Sequence, residues 1–149
     1  MNVDELVIVD GNLMTVFGGR PMNPVFAQPE IVVTGTRQAK RATDDCFDFE
    51  FTLNTHTDSE WRDLFFMLPE MNCVSFSGSA MNIRCTEVAL RGVYDKAREQ
   101  MESTNRRYVQ RRDEWLGAVK RHTAEEASKE ERKTLENNAV PTRFSEFRI

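Results

Sequence analysis

The sequence predicts an α+β fold: an antiparallel β-sheet in the N-terminal half with one short helix, followed by a long C-terminal helix or helical hairpin. Three observations carry that expectation. Residues 46–54, CFDFEFTLN, alternate strictly, with Phe47, Phe49, Phe51 and Leu53 on one side and Asp48, Glu50 and Thr52 on the other, as in a strand with one wet face. Asp10-Gly11 and Gly78-Ser79 each separate two short apolar runs, as hairpin turns do. From residue 86 to 137 no proline interrupts a stretch rich in Glu, Arg, Lys, Gln and Ala, which favour helix.

Taken in order, residues 5–9 and 13–17 form the first hairpin, ended by Gly18-Gly19. Residues 20–29 contain Pro21, Pro24 and Pro29, which disfavours helix and central strand and predicts a loop. Residues 31–35 are rich in β-branched side chains and read as a strand, and the polar, basic GTRQAKRATDD after them reads as a second loop. Asp58 or Ser59 caps a helix over residues 60–68, where Trp61, Leu64, Phe65 and Leu68 recur at helical spacing before Pro69. Val74 and Phe76, then Met81, Ile83 and Cys85, alternate on either side of the Gly78 turn.

The helical half begins at an N-cap suited to Thr86. Leu90, Tyr94, Ala97, Met101, Thr104, Tyr108, Trp115 and Val119 follow an approximate heptad seam, with a defect where Arg111 or Arg112 falls on it. A helix of that length needs a cover for its stripe, so the expectation is two helices, broken near Gly117 or in the polar run after it, or else pairing with a second copy. Pro141 is expected to close the helical half. The tail beyond it carries Phe144, Phe147 and Ile149, which suit a groove or a strand edge. The chain is thus read as one structural domain: a strand-rich core at 1–85, a helical region at 86–137 that packs on it or mediates dimerisation, and a tail at 138–149.

Composition narrows the function classes. With 149 residues, 40% hydrophobic and 30% charged, the chain is long enough to bury a core and too apolar for a disordered one. Its longest apolar runs, LVIV and LFFML, fall far short of the ~20 residues that cross a bilayer, so no membrane role is expected. The early Asp4 and Glu5 do not resemble a secretory signal, and the odd set Cys46, Cys73 and Cys85 fits free thiols in a reducing cytosol.

Charge is unevenly placed. Residues 1–104 carry 9 Lys or Arg against 16 Asp or Glu, residues 105–121 carry 6 against 2, and residues 122–149 carry 5 against 6. The middle segment, NRRYVQRRDEWLGAVKR, is therefore a basic island in an acidic protein. It interleaves Arg106, Arg107, Arg111 and Arg112 with Tyr108 and Trp115, a combination that suits phosphate contact and base stacking as well as ordinary helix packing. A second cluster, Arg37, Lys40 and Arg41, lies on the loop before the alternating strand and reads either as a solvated surface loop or as a flexible phosphate-binding arm.

No catalytic set accompanies these clusters. His56 and His122 lie in neither HExxH nor a nucleophile-elbow context, no Gly-rich phosphate loop is present, and of the carboxylates Asp44, Asp45, Asp48 and Glu50, which could be imagined as a hard-cation site, Asp48 and Glu50 read as the wet face of a strand. No cofactor or metal is expected. The leading expectation is a non-enzymatic binding protein, of the phage-type inhibitor or regulator kind, that engages a protein or protein–nucleic-acid complex through Arg106, Arg107, Tyr108, Arg111, Arg112, Arg37, Lys40 and Arg41. The alternatives are a nucleic-acid-binding accessory protein using the Arg/aromatic helix, and an oligomer that sequesters or processes a nucleotide-like anion. Homo-oligomerisation through the seam belongs to this expectation.

Overall fold

A computed structural model gives the structure of the protein, describing residues 2–144, with side chains through residue 137. The described chain is α+β, and it divides into two compact units. One comprises Phe26–Arg112; the other joins the residues before it to the helix from Asp113 onward.

The N-terminal strands form a three-stranded antiparallel meander in the order β1 (Leu6–Val9), β2 (Asn12–Phe17), β3 (Arg20–Pro24). Its first turn places both Asp10 (φ 51) and Gly11 (φ 81) in the left-handed region that a two-residue hairpin needs. Gly18 and Gly19 do the same for the second turn. β3 takes up residues 20–24 of the loop expected over residues 20–29, and residues 25–29 stay outside helix and strand. Pro21 and Pro24 are accommodated because β3 is an edge strand, where a missing N–H need not break a ladder on both sides. The register of β2 with β3 slips between Met14 and Val16, and Thr15 Oγ1 accepts there from the Asn23 N–H at 3.2 Å. Leu6, Leu13 and Val25 of this unit are buried, as is Val119 of the long helix.

The larger unit holds a four-stranded antiparallel sheet in the order β4 (Val33–Arg41), β5 (Phe47–Leu53), β7 (Ala80–Cys85), β6 (Val74–Ser77). Cross-strand pairs put Phe49 beside Ile83 and Phe51 beside Met81, with Val74 and Phe76 of β6 continuing the same apolar face. The opposite face carries two polar rows, Gln38–Glu50–Asn82–Ser75 and Lys40–Asp48–Arg84. Residues 36–41, expected as loop, are thus most of β4. Being an edge strand, β4 needs no apolar alternation; its pairing with β5 fixes it.

Helix α1 (Ser59–Phe65) starts at Asp58, whose carboxylate accepts from the Trp61 N–H at 2.8 Å. It delivers Trp61 and Phe65 to the core, stacked on each other and edge-on to Phe76. Burial grades along β5: Leu53 and Phe51 are buried, whereas Phe47 and Phe49, expected in the core, are only half-buried. The reason lies in the first turns of the long helix, where Leu90, Val93 and Tyr94 are themselves half-exposed and full burial begins at Ala97.

That helix, α2, runs unbroken over Leu90–Phe144. The expected break at Gly117 does not occur. A single mid-helix glycine costs about 0.5–1 kcal/mol relative to alanine, too little to interrupt so long a ladder. Thr86 acts one turn early, its Oγ1 accepting from Ala89 N at 3.2 Å, and α2 runs past Pro141, the residue expected to close it. Phe147 and Ile149 lie outside the described residues, as does the side chain of Phe144. Much of the seam is covered within the chain: Ala97, Met101, Thr104 and Tyr108 are buried in the larger unit and Val119 in the smaller, while Leu90, Tyr94 and Trp115 are half-buried. Its defect at Arg111 and Arg112 falls where α2 passes from one unit to the other. Beyond Val119 the described side chains are exposed apart from a half-buried His122, which sits 3.3 Å from Asp4. No helix among the described residues is long and apolar enough to cross a membrane.

Candidate partner-binding surface

On a helix, residues three and four apart share a face. In α2 the face made by Ala97, Gln100, Met101, Thr104, Asn105 and Tyr108 turns inward, which leaves Arg106, Arg107 and Arg111 exposed. Arg107 and Arg111 lie one turn apart on one side; Arg106 lies with Glu102 and Gln110 on the next. None of these three arginines forms an ion pair with a described residue. Arg112 differs: it is half-buried and engaged in an interaction within the protein.

Tyr108 belongs to the interior. It is 2% exposed, its ring lies 5.4 Å from that of Phe26, and its hydroxyl donates to Asp58 Oδ2 at 2.6 Å while accepting from the Gln28 N–H at 2.9 Å. Burial, and then the Asp58 carboxylate, push the phenol pKa well above its ordinary value. Phe26 holds a φ of 55, a conformation costly for a bulky residue, and the packing against Tyr108 helps to hold it there. Trp115, the other aromatic of the basic stretch, is half-buried. The exposed surface of this segment therefore offers guanidinium groups without an aromatic platform beside them.

The cluster on β4 is arranged differently from a flexible arm. Arg37 reaches Glu50 at 3.4 Å, and Arg41 lies 5.1 Å from the centre of the Phe47 ring while donating to the Asp44 carbonyl at 2.8 Å. Lys40 lines a polar hollow of about 320 Å³ on the wet face of the sheet, with Asp48 and Arg84 in its row. Arg84 grips Asp48 with two bonds at 2.7 and 3.0 Å, which holds that carboxyl below the usual range and raises the guanidinium in return. Lys40 and the Asp48–Arg84 pair thus lie on the face of the sheet opposite Phe51, on which α2 packs through Tyr94 at 4.8 Å, whereas Arg41 sits with Phe47 on the apolar side.

A groove of about 610 Å³ opens between α2 and the segment Gln28–Pro29–Glu30, lined on the helix side by Glu102, Asn105, Arg106, Val109 and Gln110. Its walls are pinned from below. Asn105 Oδ1 accepts from Ile31 N at 3.0 Å and from the Trp61 indole at 2.9 Å, and its Nδ2 donates to Ile31 O at 2.9 Å. Gln28 bonds through its side chain to the His56 carbonyl and the Asp58 N–H. This wall was not readable beforehand. Helical spacing of Glu102, Arg106 and Val109 flags one side, but nothing in the local sequence marks Gln28 and Glu30 as its partners.

Other reactive groups stand apart. The carboxylates of Asp48, Glu50 and Asp58 are held by Arg84, by Gln38 and Arg37, and by the α1 N-terminus. No three His, Cys, Asp or Glu side chains among the described residues gather in a way that would hold a metal. The three cysteines are free and half-buried, and burial, with the Cys73 and Cys46 thiols nearby, pushes the Cys85 thiol up and makes it a poor nucleophile. The chain matches no family model, no curated protein and no solved structure.

Proposed function

We propose that this is a non-enzymatic binding protein that engages a macromolecular partner through the exposed arginine face of α2, formed by Arg106, Arg107 and Arg111. The observation that carries the reading is that these three guanidiniums are exposed on one rigid helix without an ion-pair partner among the described residues. A planar, permanently charged donor fork left open in this way suits carboxylate or phosphate oxygens. The net charge of -4 of the whole chain makes the local positive field selective, since the remaining surface repels the same ligand.

A regulator or inhibitor of the phage type acting in the cytosol fits this reading, because such a role needs a surface rather than a catalytic set, and three free thiols suit a reducing compartment. The centre of the α2 seam, Ala97, Met101, Thr104 and Tyr108, is already buried within the chain, so the contact is taken to be with a different macromolecule. The test is Arg107→Glu with Arg111→Glu, checked for fold by circular dichroism, followed by partner capture from native-host lysate with and without nuclease. Loss of capture supports the reading. Unchanged capture by the folded variant removes this face from the interface.

A further inference from the structure

The groove beside Arg106 narrows the kind of partner that the arginine face takes. Its floor residues are already engaged, Asn105 and Tyr108 through their bonds to Ile31, Trp61, Asp58 and Gln28. The rim is not. The side chains of Glu30, Glu102, Arg106 and Gln110 have no hydrogen-bond or ion-pair partner among the described residues, and Val109 between them is 42% exposed. Recognition must come from this rim: two carboxylates, one guanidinium, one amide, and the apolar surfaces of Pro29 and Val109.

We propose that the groove is the docking site for a peptide segment of a protein partner, one that sets an apolar side chain on Pro29 and Val109, a basic group at the Glu30 and Glu102 carboxylates, and a carboxylate on Arg106. Charge complementarity selects that occupant. A nucleic acid brings only negative charge, so a strand following Arg107, Arg111 and Arg106 into the groove meets Glu30 and Glu102, and like charges at close range select against it. The surface also lacks what single strands use, because Tyr108 is internal and no exposed ring of the basic segment is free to stack on a base. The pinned walls favour binding, since little ordering remains to be done when the segment arrives.

This proposal rests on the binding reading above and is tested separately from it. The isotope-labelled full chain is titrated, by backbone amide shifts, with a synthetic peptide containing a Lys-Leu-Asp core, with the same peptide having Ser for Lys and Asp, and with a single-stranded oligonucleotide. The charged peptide is expected to shift residues 28 and 30 and residues 102–110, and Arg106→Glu to weaken it about tenfold, the loss of one well-placed contact. Replacing the peptide Asp by Lys should restore affinity to Arg106→Glu, which a merely structural effect of the substitution would not do. Silence at millimolar charged peptide, equal binding of the uncharged one, or tighter binding of the oligonucleotide overturns the proposal. So does a concentration-dependent shift of the groove residues with no peptide present, which would show a second copy of this chain there. If the groove is silent while Arg107→Glu with Arg111→Glu still abolishes capture, the arginine face stands and only the groove fails.

Discussion

Replacing Asn105 by alanine should be among the most damaging single changes in the larger unit. The residue is 9% exposed and holds three groups at once: the Ile31 N–H and the Trp61 indole N–H through Oδ1, and the Ile31 carbonyl through Nδ2. Ile31 and Trp61 are both buried, so the truncated site leaves two donors and an acceptor with no protein partner. Each buried group stranded in this way costs about 1–3 kcal/mol. Alanine returns about 0.5 kcal/mol through helix propensity, and water entering the space recovers part of the rest, leaving a net loss of roughly 3–6 kcal/mol. Against a total of about 5–15 kcal/mol for a small domain, that is enough to bring it near unfolding. The assay is urea unfolding followed by Trp61 fluorescence in a Trp115→Phe background, since the two tryptophans belong to different units. A loss under about 1 kcal/mol at unchanged denaturant slope would refute the view that Asn105 ties the 26–32 segment to α2.

Four further outcomes are expected. Gly117→Ala should stabilise by about 0.5–1 kcal/mol, because α2 is continuous there and the added methyl meets only the flexible end of Arg121 at 3.6 Å; destabilisation would favour a helix break. Phe51→Ala should cost about 3–5 kcal/mol and Phe49→Ala distinctly less, following the burial gradient along β5, with denaturation midpoints as the measure. The Tyr108 phenol pKa is raised by folding, so its contribution is complete below about pH 10 and is lost as pH rises further, by up to about 1.4 kcal/mol per unit; in a Tyr94→Phe background phenolate absorbance should grow only as the fold is lost. Arg107→Glu alone should raise stability by about 0.2–0.5 kcal/mol while weakening partner capture, and a variant that loses both is evidence against a surface role.

Those parts of the fold that depend on a repeating pattern were legible in the sequence. The alternation of Phe47 to Leu53, the Asp10-Gly11 and Gly78 turns, the Asp58 cap and the seam of α2 each state a local rule that the structure obeys. Edge strands escaped. β3 carries prolines that a central strand would exclude, and β4 has no apolar face, so neither shows the burial pattern by which strands are recognised; both are defined by a neighbour's ladder. Helix continuity was misjudged at Gly117, where a modest local penalty was set against the cooperativity of a long helix. In the basic segment the charges were legible and their setting was not. Tyr108 looked like part of the surface because it is interleaved with arginines, whereas its seam position, three and four residues beyond Asn105 and Thr104, placed it inside.

The basic segment also conflicts with its own helix, and that conflict bears on its role. Arg107 and Arg111 are like charges at i and i+4, a spacing that destabilises a helix by about 0.2–0.5 kcal/mol, and no described carboxylate is bonded to either. Elsewhere the protein resolves such conflicts: Arg84 is gripped by Asp48, Arg37 reaches Glu50, and Lys129 lies 3.6 Å from Glu126. A carboxylate at 107 would remove the repulsion and create a favourable Glu-to-Arg pair in the preferred direction along the helix. Local rules broken without internal compensation tend to mark functional positions, because a partner can supply the missing counter-charge. On this argument Arg107→Glu separates stability from binding. A more stable protein that has lost its partner is the result to expect if the exposed arginines serve recognition rather than folding.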